Sequence, residues 1–244
     1  MDDRDGRAMI LKTRIGPALF GLLALAGAVP ARAVDGVIEI NQARATAGSV
    51  TVGDLAGFPV SLTAAGSYRL TSDLAVPANT DGISVTADNV TLDLNGFSIV
   101  SAGGATLKDG TQVGAQKNIE IKNGTIRGFG RAGFFSSGNA AYVKLIGLRL
   151  IGNLVVGAEL EGQGHLVDHC MVFNNGGNGL RVFDGSLVIN SVVRGNTGFG
   201  LDLIGATGYG SNVLTGNNGG DANAQVSGGF QLGSNVCGSD LVCP

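Results

Sequence analysis

Asn174-Asn175-Gly176-Gly177-Asn178-Gly179-Leu180-Arg181-Val182 is followed, 21 residues on, by Gly195-Asn196-Thr197-Gly198-Phe199-Gly200-Leu201-Asp202-Leu203. In register, the two stretches share an Asn, a Gly and an apolar-polar-apolar triplet. The same register extends in both directions. Asn153, Asn175, Asn196 and Asn217 fall 22, 21 and 21 residues apart. Leu150, Val172, Val193 and Leu214 keep the same steps, and Gly133, Gly157, Gly179 and Gly200 form a third column. Ala158, Leu180 and Leu201 make a fourth column, and Leu160, Val182 and Leu203 a fifth. A unit of this length is too short for two helices, and each interior Gly would cost a helix about 1 kcal/mol relative to Ala. Alternating triplets read as short strands, and Asn/Gly clusters read as turns. Three strands and three turns per unit give an all-β fold. Its class is a right-handed, single-stranded parallel β-helix, a solenoid with coils of about 21–24 residues stacked at about 4.8 Å.

A buried turn leaves backbone groups that need partners, and an inward Asn offers one acceptor and two donors. Asn153, Asn175, Asn196 and Asn217 are therefore expected to form a hydrogen-bonded structural ladder rather than a binding groove.

Composition agrees with this architecture. The chain has 244 residues, of which 42 are Gly and none is Trp; 44% are hydrophobic and 14% charged. That hydrophobic content does not fit a disordered chain. Five Pro and no strict Gly-X-Y period exclude collagen. A net charge of −3 leaves no basic excess for phosphate, so nucleic acid is not an expected partner.

Residues 1–33 read as a signal peptide. Lys12 and Arg14 precede an apolar run from Ile15 to Val29, and Ala31-Arg32-Ala33 forms an A-x-A cleavage site. The acidic Asp2-Asp3-Arg4-Asp5 suits such a segment poorly, and Met9 offers an alternative start to Met1. The run is too short to span a bilayer, so no membrane span is expected once the signal is removed. The expected location is secreted, periplasmic or otherwise in the cell envelope. The expected organisation is an N-terminal capping segment over 34–66, with a helix over Ile38–Arg44, then a β-helix over 67–230 and a C-terminal tail over 231–244. Residues 101–117 read as an exposed loop. Cys237 and Cys243 are expected to close a local disulfide, which an exported protein would keep. Cys170, in an apolar stretch, reads as an inert buried thiol.

Resemblance enters on the segment Ser67 to Ile99, which contains Ser-Tyr-Arg-Leu and Asn-Val-Thr-Leu-Asp-Leu-Asn-Gly-Phe-Ser-Ile. It resembles the first coils of secreted bacterial right-handed β-helix repeat proteins. The later Asn-x-Gly-x-Gly-Leu units are similar to the pectate-lyase-like superfamily, over roughly residues 67–220. The resemblance implies the fold. It leaves the activity open among pectate lyases, polygalacturonases, epimerases, adhesins and binding proteins.

Catalytic signals are sparse. Asn79-Thr80-Asp81-Gly82 matches a polygalacturonase-type motif, but the mature chain has no Asp-Asp pair, no Gly-His-Gly and no Arg-x-Lys downstream. The tetrapeptide reads as a turn. A lyase would need a Ca²⁺ cage and a base; Ca²⁺ is expected only in that case, and no other cofactor is. Two histidines, His165 and His169, are too few for a structural metal site, so none is expected. Asp168 and His169 are a candidate acid/base pair. Adjacent strand residues point to opposite faces, so they can cooperate only if the chain turns between them. Glu159, Arg181 and Asp202 share one outward column and form a candidate ligand-binding ion ladder, with Arg181 also a catalytic candidate. Phe183 is a candidate sugar-stacking residue beside them. The leading expectation is an exported, non-catalytic β-helix whose flank binds a polysaccharide, a cell-surface glycan or another surface. The alternative is a lyase or hydrolase acting on acidic polysaccharide.

Overall fold

The computed structural model describes residues 36–241 and 243. The expected signal peptide over 1–33 lies outside the described residues. Among the described residues, no helix is long and apolar enough to cross a membrane.

The chain coils as a three-faced prism in which every strand pairing between coils is parallel. The first face stacks Val37–Ile40, Gly66–Leu70, Val90–Asp93, the first parts of Lys117–Arg127 and Ala141–Ile151, then Leu166–Asp168, Leu187–Ile189, Gly208–Gly210 and Phe230–Gln231. The second face stacks Leu74–Val76, Ser98–Ser101, the last parts of the two long strands, then Met171–Phe173, Val192–Arg194, Val213–Thr215 and Val236–Cys237. The third face holds eight strands, from Val60–Leu62 to Val226–Ser227. Alternation sends every second side chain inward. Ile121, Leu145, Val167 and Val188 line the first face from inside, Ile126, Leu150, Val172, Val193 and Leu214 the second, and Phe134, Ala158, Leu180 and Leu201 the third, all fully buried. Each presses on its equivalent in the next coil, which is why one coil alone could not be stable.

The corner between first and second faces is a single left-handed residue: Asn123, Gly147, His169, Asn190 and Ser211 have φ of 58°, 61°, 52°, 52° and 57°. Inside the corners, side chains replace the sheet hydrogen bonds that bends interrupt. At the corner leading into the third face, the backbone N–H and Nδ2 of Asn153 both donate to Oδ1 of Asn175, at 2.9 and 3.1 Å. Asn175 donates likewise to Asn196, and Asn196 to Asn217. The column opens at the Phe129 N–H, which donates to Asn153, and ends at Gln225, whose Oε1 accepts both donors of Asn217. Two further ladders occupy the other corners. In one, the Cys170 N–H donates to Ser191, the Ser191 N–H to Asn212, and Asn212 to Asn235. In the other, the Val143 N–H donates to His165 and the His165 N–H to Ser186.

Several boundaries differ from the sequence reading. Val37–Ile40 is a strand rather than part of a helix, because Ile40 is fully buried and the segment pairs with Ser67–Leu70. The helix begins later, at Gln42–Ala47, where Asn41 accepts the Arg44 N–H at 2.9 Å as its N-cap. It closes the open end: the Gln42 amide accepts from Ala75 N–H and donates to Ala75 O, as a neighbouring strand would. Parallel stacking thus starts at Val37 instead of 67 and continues to Cys237 instead of 230. Within the expected loop over 101–117, Thr111–Val113 is a strand of the third face, bonded on both sides. Its inward Thr111 disguises it as loop sequence. Cys237 and Cys243 form a disulfide with Cα atoms 5.2 Å apart. Cys170 is buried, and burial pushes its thiol up to about 11.

His165 gives the fold a pH dependence. It is buried, its Nδ1 accepts the Val143 N–H at 3.3 Å, and its Nε2 lies 3.0 Å from Glu161 O, so the neutral tautomer protonated on Nε2 satisfies both contacts. Burial holds its pKa below the usual 6.5. A depressed folded pKa contributes stability present above the unfolded value and lost as pH falls through the folded one. Urea midpoints are therefore expected to fall as pH drops below 6.5, and His165→Gln to flatten that limb. Parallel profiles for the two proteins would assign the acid sensitivity elsewhere.

Candidate functional site

The third face carries the outward column identified from the repeat. Its register runs Gln112, Phe135, Glu159, Arg181, Asp202 and Ser227. Arg181 sits between two carboxylates, with Nη1 3.5 Å from Glu159 Oε1 and Nε 3.4 Å from Asp202 Oδ2. Asp202 also accepts from Asn178 Nδ2 at 3.0 Å. The Phe183 ring lies 5.5 Å from the Arg181 guanidinium carbon. Partly exposed pairs of this kind contribute about 0–1 kcal/mol each, so the column's value is positional rather than energetic. Burial raises the Glu159 pKa, and the nearby Arg181 opposes that rise.

Where the third face turns into the first, Phe183 joins Asn139, Glu161, Gln163, Asp184 and Lys117 around a groove of about 610 Å³. Its walls are hydrogen-bonding side chains with one aromatic ring, a combination suited to a hydroxyl-rich ring with one apolar face.

The sequence did not expose a second charged cluster, at the corner before the third face. Asp109 is buried and takes a bidentate contact from Arg131, with Nε at 2.8 Å, while the Ala132 N–H donates to the same carboxylate. Burial raises the Asp109 pKa and Arg131 pulls against it. Arg131 also lies 3.7 Å above the centre of the Phe135 ring. Asp81, from the tetrapeptide read as a turn, accepts from Lys108 Nζ at 3.0 Å and from the Asp109 N–H. These contacts tie the 102–110 loop to the stack.

Asp168 and His169 do meet, because His169 is a left-handed corner residue and the chain turns between them. His169 Nδ1 lies 2.7 Å from Asp168 Oδ1, and the same carboxylate oxygen accepts from Asn190 at 3.0 Å. The turn on which their cooperation was conditional is therefore present. The pair stands at the corner of first and second faces, away from the third-face column, so it is not brought together with Glu159, Arg181 or Asp202. Among the described residues, no group of three or more His, Cys, Asp or Glu side chains converges as a metal site would.

Among solved structures, the chain is similar to a mutant of the periplasmic alginate epimerase AlgG. The two are 14% identical over 68% of this chain and 51% of that one, with a TM-score of 0.40. The chain thus spans about half the length of that protein. No curated protein matches it. Residues 66–219, more than half of the chain, match the family described as a right-handed β-helix region. Stacked parallel coils and the sequence match lead to one conclusion: the chain belongs to the right-handed β-helix family.

Proposed function

We propose that the protein is an exported, non-catalytic β-helix that binds carbohydrate along its third face. The observation that carries this reading is the placement of Phe183 between the Glu159–Arg181–Asp202 column and the polar groove of Asn139, Glu161, Gln163 and Asp184. A sugar ring stacked on Phe183 would reach amide and carboxylate acceptors on one side and a guanidinium on the other. The column favours holding over chemistry, since both its carboxylates are engaged by Arg181 and Arg181 has no free role as a base. Export is supported by the Cys237–Cys243 disulfide and by the leader-like sequence of residues 1–33.

The test is binding of neutral plant and bacterial polysaccharides in affinity gels. Phe183→Ala and Arg181→Ala are each expected to weaken binding about tenfold, consistent with the loss of one stacking or charged contact. Equal mobility of wild type and both variants on every neutral glycan would refute a third-face site.

Glu159 supports the second reading, a polysaccharide lyase or hydrolase. Its raised pKa suits a general acid, and Asp202 lies two coils away, about 10 Å by strand spacing. Release of reducing or unsaturated ends from acidic polysaccharide, abolished by Glu159→Gln, would replace the binding reading with that one.

A further inference from the structure

The second face differs from the other two in charge. Its outward positions form two columns. One runs Ser98, Thr125, Arg149, Met171, Val192, Val213 and Val236; the other runs Ala75, Val100, Arg127, Ile151, Phe173, Arg194 and Thr215. The charges in them are Arg127, Arg149 and Arg194, with no carboxylate. Among the described residues, none of the three guanidiniums has an acidic side chain in ion-pair reach; Arg69, Lys108, Lys122, Arg131 and Arg181 elsewhere do, while Arg44, Lys117 and Lys144 do not, so what sets this face apart is three such cations together on it. Acids that border the face are engaged elsewhere: at its first coil, Asp73 accepts the Ser98 N–H at 2.7 Å. Asp168 is bonded by His169 and Asn190 across the corner, and Asp221 accepts the Gly216 N–H.

The order within the second column is informative: Arg127, Ile151, Phe173 and Arg194 succeed one another on consecutive coils. An aliphatic and aromatic platform is thus bracketed by guanidiniums about 14 Å apart, three strand spacings. Beside it, Phe173, Asn174, Arg194, Gly195 and Gly216 line a groove of about 520 Å³, where the two glycines leave the surface open. Arg presents a planar fork that fits carboxylate, and the platform fits the apolar face of a sugar ring.

We infer that the second face is an anion-binding site for an acidic polysaccharide, whose chain runs along the stack with sugar rings on Ile151 and Phe173 and carboxylates on Arg127 and Arg194. The site is separate from the third-face groove. In a chain of net charge −3, three uncompensated arginines on one face also create a local positive field that draws a polyanion to it.

The probe is an oligogalacturonate titrated into the full chain by calorimetry, with a neutral xylo-oligosaccharide and vesicles of phosphatidylglycerol and phosphatidylcholine beside it. Oligogalacturonate is expected to bind, more weakly as salt rises. Arg127→Gln, Arg194→Gln and Phe173→Thr are each expected to weaken it roughly tenfold, the loss of one charged or stacking contact. Lys144→Gln, at an exposed position of the first face, is expected to leave it unchanged. The three second-face side chains point outward, so equal melting temperatures would show that the variants remain folded. No oligogalacturonate binding by the wild type would overturn the inference. So would loss through Lys144→Gln in place of the second-face variants, or capture by the anionic vesicles alone, which would make the face a lipid-binding one. Because neutral glycans probe the third face and oligogalacturonate the second, failure of one site leaves the other standing.

Discussion

Replacing Asn196 by Ala is expected to destabilise the protein by about 3–5 kcal/mol, since several buried groups lose their partners together at about 1–3 kcal/mol each. Oδ1 of Asn196 accepts from both the backbone and the side chain of Asn175 at 2.9 Å, and its Nδ2 donates to Asn217 Oδ1 at 2.9 Å and Val172 O at 3.2 Å. Asn175, Asn196 and Asn217 are all buried, so bulk solvent does not replace the lost partners. Asn196→Asp separates the two halves of the effect. It keeps an acceptor for Asn175 but turns a second oxygen toward Asn217 Oδ1 and Val172 O, so it is expected to be no less damaging than Ala. Asn139→Ala, in an exposed turn, is expected to stay within about 0.5 kcal/mol of wild type. Urea denaturation measures all three. An unchanged midpoint for Asn196→Ala would mean that the ladder contributes no net stability.

The second large effect concerns glycines that look like turn residues. Gly82, Gly110, Gly133, Gly157, Gly179 and Gly200 occupy one column and none has a left-handed φ. Their requirement is room. A Cβ on Gly157 would lie 2.5 Å from Gly179 O, 2.5 Å from Val172 Cγ1 and 3.0 Å from Asn175 Nδ2. Gly157→Ala is therefore expected to cost about 1–3 kcal/mol, the usual range for overpacking. Gly152 makes the contrast. Its φ is +62° and its Cβ would meet nothing within 4 Å. The equivalent position one coil later is Asn174, with φ of 55°, so Gly152→Asn is expected to be nearly neutral. Thermal melts of the two variants would reverse in order if backbone conformation, rather than space, governed the inner column.

The architecture could be read from the chain because each coil repeats its chemistry at the same place. Asn175 and Asn196, or Val172 and Val193, announce their stacking by identity alone. The third-face column was legible for the same reason, since register put Glu159, Arg181 and Asp202 in line. Where chemistry varies along a column, register was silent. The ladders of Ser191, Asn212 and Asn235, and of His165 and Ser186, use different side chains for one geometric task. Asp109 and Arg131 escaped notice because the 102–110 loop lengthens its coil and breaks the count. The contact of Asp168 with His169 depended on a one-residue corner, which strand alternation cannot anticipate. The glycine column was found by position, but its need for room was not legible, because a sequence shows that a side chain is missing and not what would have struck it.

The asparagine ladder has a direction. Each coil hands its buried donors to an acceptor in the coil that follows, and the last set rests on Gln225. Synthesis proceeds in the same sense, so each ladder Asn is made before the acceptor that its donors meet. The Gln225 amide, which also donates to Gly220 O and Asn223 O, closes the series upon itself and offers nothing to another coil. The ladder is therefore capped from within: its last donors are met by a side chain eight residues on, while the strands of the first and second faces stack once more beyond it.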